Sequence, residues 1–310
     1  MLLLQITILN VMILPPLLKT GDIVSILAPA RKISEDELKP SIFLFESNGL
    51  RVNLGKNIFK QYHQFAGTDQ ERISDFQEAL NNPDIKAIFC ARGGYGTLRI
   101  IDKLDFSLFK KHPKWICGYS DVSVLHSHLH CLGFASLHAT MPININNEIF
   151  DSETIKTMIQ ALFTGNISYT IPPHPFNKTG KADGFICGGN LSLLYALNGS
   201  ASDIDTKNKI LFIEELDEYL YHIDRMMLCL KRSHKLSYLS ALIIGGMTQM
   251  NDNTIAFGKT AEEIILEHVQ SFNYPVCFGF PAGHIIDNRA IIFGKKSFIN
   301  ITDNNVILTI

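Results

Sequence analysis

Two patterns of apolar and polar positions alternate along the first half of the chain: short unbroken apolar runs, and longer segments in which apolar residues recur at helical spacing. Residues 21–28, 51–54, 87–91 and 115–117 read as buried strands. Between the first two, Ser34 followed by Glu37 forms a capping box, and Ile42, Phe43, Leu44 and Phe45 carry a helix to Gly49. A second amphipathic helix is predicted over 70–80, capped by Thr68 or Asp69. Another helix is predicted from Leu98, and another over 121–132. Strand, helix, strand in this order specifies a parallel α/β unit, in which the loops at the carboxyl ends of the strands build the site.

The second half has less helix in its pattern. A helix is predicted to start at Gly188-Gly189-Asn190-Leu191 and run to Leu197. A buried strand over 209–213 delivers Glu214 and Glu215 at its end, and a helix follows through Tyr221, Ile223, Met226, Met227 and Leu230. Apolar strands over 241–246 and 276–280 come next, the latter ending at Pro281-Ala282-Gly283-His284. The expected fold is α/β: an N-terminal doubly wound, mostly parallel sheet domain (12–150), then a crossover linker (151–180) holding a short helix and the Pro-rich run Ile171-Pro172-Pro173-His174-Pro175. A smaller C-terminal α/β domain with short β-strands (181–310) completes it.

Composition narrows the function classes. A net charge of −2 with evenly spread Lys and Arg leaves no basic stripe, so nucleic acid is not an expected partner. The apolar start, 1–11, has no leading Lys or Arg and no small-residue cleavage site, and it is too short to span a bilayer. It reads as a start-site extension or a disordered tail, and the chain as cytoplasmic without a membrane span. Six scattered cysteines with no C-x-x-C pair fit buried thiols of a reducing compartment.

The candidate chemistry sits at strand ends. Gly118-Tyr119-Ser120-Asp121 places Ser120 at a strand-to-helix corner. There a hydroxyl can either cap the helix or attack a carbonyl while the free helix N–H groups receive the oxyanion. Arg92-Gly93-Gly94-Tyr95-Gly96 is a glycine-rich turn on the same sheet edge, suited to an oxyanion or carboxylate; the Walker and G-x-G-x-x-G spacings are absent. His126, His128 and His130 share one helix, but His128 faces away from the other two and no carboxylate or cysteine completes a set, so no metal and no cofactor are expected. His63, His112, His234 and His268 lie in polar surroundings and read as surface. A serine needs a base and the base a partner: His284 and Glu214, at the ends of apolar strands, are the natural candidates.

Taken in order, Ala91-Arg92-Gly93-Gly94-Tyr95-Gly96, Gly118-Tyr119-Ser120-Asp121, Gly188-Gly189-Asn190-Leu191, Leu211-Phe212-Ile213-Glu214-Glu215 and Gly283-His284 resemble the motif set of the LD-carboxypeptidases, serine peptidase family S66. The likeness extends from about Leu17 to the C-terminus. It implies Ser120 as nucleophile, His284 as general base and Glu214 as its orienting partner, in a site between two domains. The implied reaction is hydrolysis of the amide joining an L-configured centre to the terminal D-alanine of murein tetrapeptides in cell-wall recycling. The backbone N–H of Asp121 and of Gly93 or Gly94 would hold the oxyanion, and Arg92 or Arg225 the substrate carboxylate. The family includes dimers, so a homodimer is among the assemblies implied. It also includes enzymes that cleave peptidyl-adenylate antibiotics and confer immunity; a non-catalytic ligand-binding module is the contrasting alternative. Ser123 stands where the family more often has Thr, Ala139-Thr140-Met141-Pro142 lacks a Gly common in that motif, and Glu215 replaces a frequent Asp.

Overall fold

The computed structural model describes residues 12–310; the stretch expected to be an extension or tail, 1–11, lies outside them. In the first half the elements run β1 (Ile23–Leu27), α1 (Glu35–Ser47), β2 (Arg51–Leu54), α2 (Asp69–Asn81), β3 (Ile85–Cys90), α3 (Ser107–Lys111), β4 (Trp115–Gly118), α4 (Ser123–Cys131) and β5 (Ser136–His138). Then follow α5 (Glu153–Thr164), β6 (Ser168–Ile171), β7 (Gly180–Asn190), α6 (Leu191–Leu197), β8 (Ile210–Leu216), α7 (Leu220–Arg232), β9 (Ala241–Thr248), α8 (Ala261–Val269) and β10 (Val276–Cys277). The last three strands are β11 (Ile291–Phe293), β12 (Lys296–Ile301) and β13 (Val306–Thr309). Capping boxes start α1 at Ser34 and α2 at Thr68, each hydroxyl accepting from the N3 amide while the N3 Glu returns the bond.

The first sheet has the order β11-β5-β4-β3-β1-β2. Its strands β1 to β5 are parallel, as the alternating pattern dictates, and the chain reverses its direction of growth between β1 and β3. Ligands in such sheets bind outside the carboxyl ends of the strands flanking that switch point. The second sheet runs β10-β9-β8-β7-β12-β13-β6. Four of its strands are parallel, and β12, β13 and β6 add antiparallel to the other side of β7.

Several elements differ from the pattern reading. Gly188-Gly189 do not begin a helix: they lie inside β7, an 11-residue strand, and Asn190 caps α6 with its side chain. A polar, glycine-rich sequence hid β7, whose first half pairs with β12 and whose second half pairs with β8 without a continuous alternation of apolar residues. The stretch from Leu98 forms two short 3₁₀ turns, Thr97–Arg99 and Ile101–Lys103, rather than a helix. The 151–180 segment contributes β6 to the second sheet, and β11, from the C-terminal half, pairs antiparallel with β5 in the first. One apolar core joins the sheets, with Phe89, Trp115 and Leu137 of the first clustered with Ile186, Phe212 and Ile243 of the second and with Ile155 and Met158 of α5. The second sheet, expected in a smaller domain of short strands, has one strand more than the first.

Candidate active site

The loops leaving β1, β3 and β4 meet at the switch point, and β7, β8 and the loop before β11 face them. Together they line a pocket of about 430 Å³ that includes Arg31, Arg92, Gly93, Tyr119, Ser120, Asn190, Glu215 and His284.

Ser120 is not a helix cap. Tyr119 occupies the cap position in extended conformation, no side chain caps the turn, and Ser120 opens a 3₁₀ turn, Ser120–Val122, ahead of α4. Its φ is +64°, in the left-handed region a non-glycine residue adopts only where surrounding structure compels it. That sharp corner turns the side chain into the pocket instead of back over the helix. Gly93 makes the corner accessible: a Cβ there would lie 3.0 Å from Ser120 Cβ and 3.4 Å from the Asp121 amide nitrogen. The Asp121 N–H belongs to the first turn of a helix, where amides lack an intrahelical acceptor. Of the two glycines considered for an oxyanion, Gly93 faces Ser120, whereas Gly94 backs onto the Arg31 side chain.

The turn is anchored from behind. Asp121, buried, accepts from the Thr97 amide at 2.9 Å and so ties the β3 loop to the β4 loop. Burial pushes its carboxyl above the ordinary range. Arg72, buried on α2, donates to the carbonyls of Gly96 (3.0 Å) and Pro29, holding the β1 and β3 loops together. His126 bonds the carbonyl of Gly118 at 2.9 Å and Ser136 Oγ at 2.8 Å; burial holds its ring neutral, with a pKa lowered to about 4. This histidine braces the end of β4.

His284 Nδ1 lies 2.6 Å from Glu214 Oε2, and the His284 amide donates to the same oxygen at 3.2 Å. With Nδ1 donating, the proton-free nitrogen of the neutral ring is Nε2. Glu214 is fully buried, and its Oε1 has no hydrogen-bond partner among the described residues. Burial disfavours the imidazolium, but the Glu214 hydrogen bond and charge, with a smaller contribution from Glu215, outweigh it and raise the His284 pKa. The approach depends on Gly283, at φ +106°, where a Cβ would lie 2.7 Å from Glu214 Cβ. A register shift between β8 and β9 beside Glu214 opens the strand edge, and Gly246 bonds the Ala282 carbonyl there at 2.9 Å. The Tyr119 ring packs 4.8 Å from the His284 ring, so the β4 turn touches the His–Glu pair directly.

Ser120 and His284 thus line one pocket, with Glu214 behind the histidine. Arg92 also lines it, its guanidinium donating to the Lys32 carbonyl at 3.0 Å. Arg225 does not. It stacks on Tyr221 on the outer face of α7 and lines a separate surface pocket with Asp224 and Arg232. The pattern reading passed over Arg31, which stands at the pocket rim on the β1 exit loop; its position at a strand's carboxyl end was the available signal. Neither Arg31 nor Arg92 enters an ion pair among the described residues. His268, read as a surface residue, is buried on α8 and bonded to Asp224 at 2.8 Å. Cys131 is exposed and Cys229 half-buried, while Cys90, Cys117, Cys187 and Cys277 are buried; all six are free thiols.

A doubly wound sheet sharing its core with a mixed second sheet, with a polar pocket where their strand ends meet, is the architecture of the S66 peptidases. Residues 24–139 match the LD-carboxypeptidase N-terminal domain and residues 183–299 the LD-carboxypeptidase C-terminal domain. The chain belongs to the LD-carboxypeptidase family and is by that membership a hydrolase of the carboxypeptidase class. It is 34% identical to a probable murein peptide carboxypeptidase of Bacillus subtilis, over 95% of this chain and 93% of that protein. The crystal structure of muramoyltetrapeptide carboxypeptidase from Oxalobacter formigenes superposes with a TM-score of 0.85 at 26% identity, covering 93% of this chain and 98% of that one. Microcin C7 self-immunity protein MccF, in complex with adenosine monophosphate, shares the fold with a TM-score of 0.86 at 23% identity, covering 96% and 98%.

Proposed function

We propose that the chain removes the terminal D-alanine of murein tetrapeptides through an acyl-enzyme, with Ser120 as nucleophile, His284 as general base and Glu214 as the group that orients it. The observation that carries this reading is the occurrence of a serine at positive φ and a Glu-bound histidine in one pocket whose lining includes two arginines that enter no ion pair among the described residues. In the first half-reaction, His284 Nε2 takes the Ser120 proton as Oγ attacks the carbonyl carbon. The oxyanion receives N–H bonds from Gly93 and Asp121. Collapse breaks the C–N bond, and His284 returns the proton to the leaving amine of D-alanine. Water then attacks the ester by the same route in reverse, freeing the shortened peptide and Ser120. Removing one oxyanion donor from such a site costs roughly 3 to 4 kcal/mol of transition-state stabilisation.

Carboxypeptidase action requires reading a free carboxylate, and Arg31 with Arg92 supplies a planar, permanently charged pair for it. Murein processing in the cytoplasm is consistent with six free thiols. Purified protein incubated with murein tetrapeptide is expected to release D-alanine, and Ser120→Ala to lower the rate by on the order of 10⁴-fold or more. D-alanine release unaffected by Ser120→Ala would sink the nucleophile assignment. Preferential cleavage of a peptidyl-adenylate would move the substrate to that of the immunity branch while leaving the chemistry intact.

A further inference from the structure

Ser123, Asn190 and Glu215 are all buried, and none has a role in the steps above. They form one continuous hydrogen-bonded line between the two halves of the site. Ser123, three residues beyond Ser120 at the start of α4, accepts at Oγ from the Asn190 amide at 2.8 Å. Asn190 is the last residue of β7, in register with Glu214 on β8. Its Nδ2 donates to Glu215 Oε1 at 2.7 Å; Ser192 N donates to Glu215 Oε2 at 2.6 Å and Leu216 N to Oε1 at 3.0 Å. The line therefore starts on the helix that carries the nucleophile's turn and ends one residue from the partner of His284. The β7 backbone presses on it so closely that a Cβ at Gly189 would lie 2.3 Å from Ser123 Oγ.

We infer that Ser123, Asn190 and Glu215 form a positioning strut that sets the distance between the Ser120 turn and the Glu214–His284 pair across the boundary between the two sheets. The inference rests on the serine-hydrolase reading of the pocket. No hydrogen bond joins Ser120 to His284 directly among the described residues, so their spacing must come from the elements that carry them. Packing alone would favour an apolar residue at position 215, because a buried carboxylate is costly unless it is saturated with donors. Three N–H groups converge on Glu215, and burial still outweighs them and pushes its carboxyl up to about 7, so the position keeps an acid at a cost. A carboxylate can accept from β7, α6 and β8 together, which a neutral amide with its single acceptor oxygen cannot do as well. At a reacting centre, a misplacement of about 1 Å costs about 10²-fold in rate, so a strut of this kind acts on turnover rather than on binding.

The test uses the full chain with Ser123→Ala, Ser123→Thr and Glu215→Gln, each checked for folding by thermal melt. It measures kcat and KM on murein tetrapeptide and the rate at which a phosphonofluoridate labels Ser120. Ser123→Ala is expected to lower kcat and the labelling rate by about 10- to 100-fold with KM within about twofold, and Ser123→Thr, which keeps the hydroxyl, to restore both. Glu215→Gln should lower kcat comparably. It should also move the acidic limb of the pH–rate profile to lower pH, since one of the two carboxylates raising His284 is gone; the other groups facing that ring are Glu214, His138 and Tyr119. That shift reports the lost charge, whereas kcat and the labelling rate at unchanged KM report the strut. Ser123→Ala and Glu215→Gln with kcat within about twofold of the parent, or with only KM changed, would overturn the strut. If Glu215→Gln fails to fold, Ser123→Ala and its threonine rescue decide alone. An inactive Ser120→Ala beside an unimpaired Ser123→Ala removes the strut but leaves the nucleophile standing; an active Ser120→Ala removes the reading on which both depend.

Discussion

The contact between Glu214 and His284 sets the electrostatics of the base. Glu214 is fully buried, its Oε1 has no hydrogen-bond partner among the described residues, and Nδ1–H and the backbone N–H of His284 both bind Oε2. The same contact raises the imidazole above its ordinary value, with a defined sign for both activity and stability. A base must be neutral, so the acidic limb of kcat/KM should lie above the ordinary histidine value of about 6.5. Glu214→Gln should move that limb to lower pH while reducing kcat by on the order of 10⁴-fold. A pH–rate profile of both proteins checks this, and an unmoved limb would mean that His284 is not the titrating base. For stability, a group raised on folding contributes fully below its unfolded pKa. The pair's contribution is therefore lost as pH rises through the folded value of His284.

At the scale of elements, the site depends on a loop that can approach a strand only where side chains are missing. The segment between β10 and β11 reaches Glu214 because Gly283 has no Cβ and because the register shift between β8 and β9 leaves room beside it. Gly283→Ala is expected to strain the left-handed backbone by about 1 to 3 kcal/mol and to displace His284, with a loss of about 10²-fold in kcat. A melt and a steady-state assay separate the two effects. Parent-like kcat with a lowered melting temperature would show that the loop tolerates the shift.

For the whole molecule, the division into two family domains does not coincide with two independent cores. β11 closes the edge of the first sheet beyond β5, and the same apolar cluster runs from Phe89 and Trp115 to Phe212 and Ile243. A fragment limited to residues 24–139, the matched N-terminal domain, would expose that cluster and leave the β5 edge unpaired. It is expected to aggregate or to bind an apolar dye strongly, whereas the full chain melts cooperatively. A monomeric fragment with a cooperative melt and weak dye binding would refute this.

Much of the fold and the triad candidates were legible in the chain because they depend on local physics. Apolar runs alternating with amphipathic segments determined the parallel first sheet, and the Ser-x-x-Glu and Thr-x-x-Glu boxes started α1 and α2; Ser120, Glu214 and His284 stood out as candidates, although Glu214 lies within β8 and His284 in the loop after β10 rather than at strand ends. Elements whose reason for existing lies far away in sequence were not legible. β7, polar and glycine-rich, is held by β12 along its first half and by β8 along its second rather than by its own periodicity. Ser120 leaves the cap position because the neighbouring loops force its backbone to a positive φ, which outweighs the local preference of serine for capping. Arg31 enters the pocket and Arg225 leaves it because strand order and helix facing, which no spacing rule contains, decide which cations share a cavity with Ser120. The residue types at the site came from sequence; their convergence came from long-range pairing and shared burial, which only the folded chain supplies.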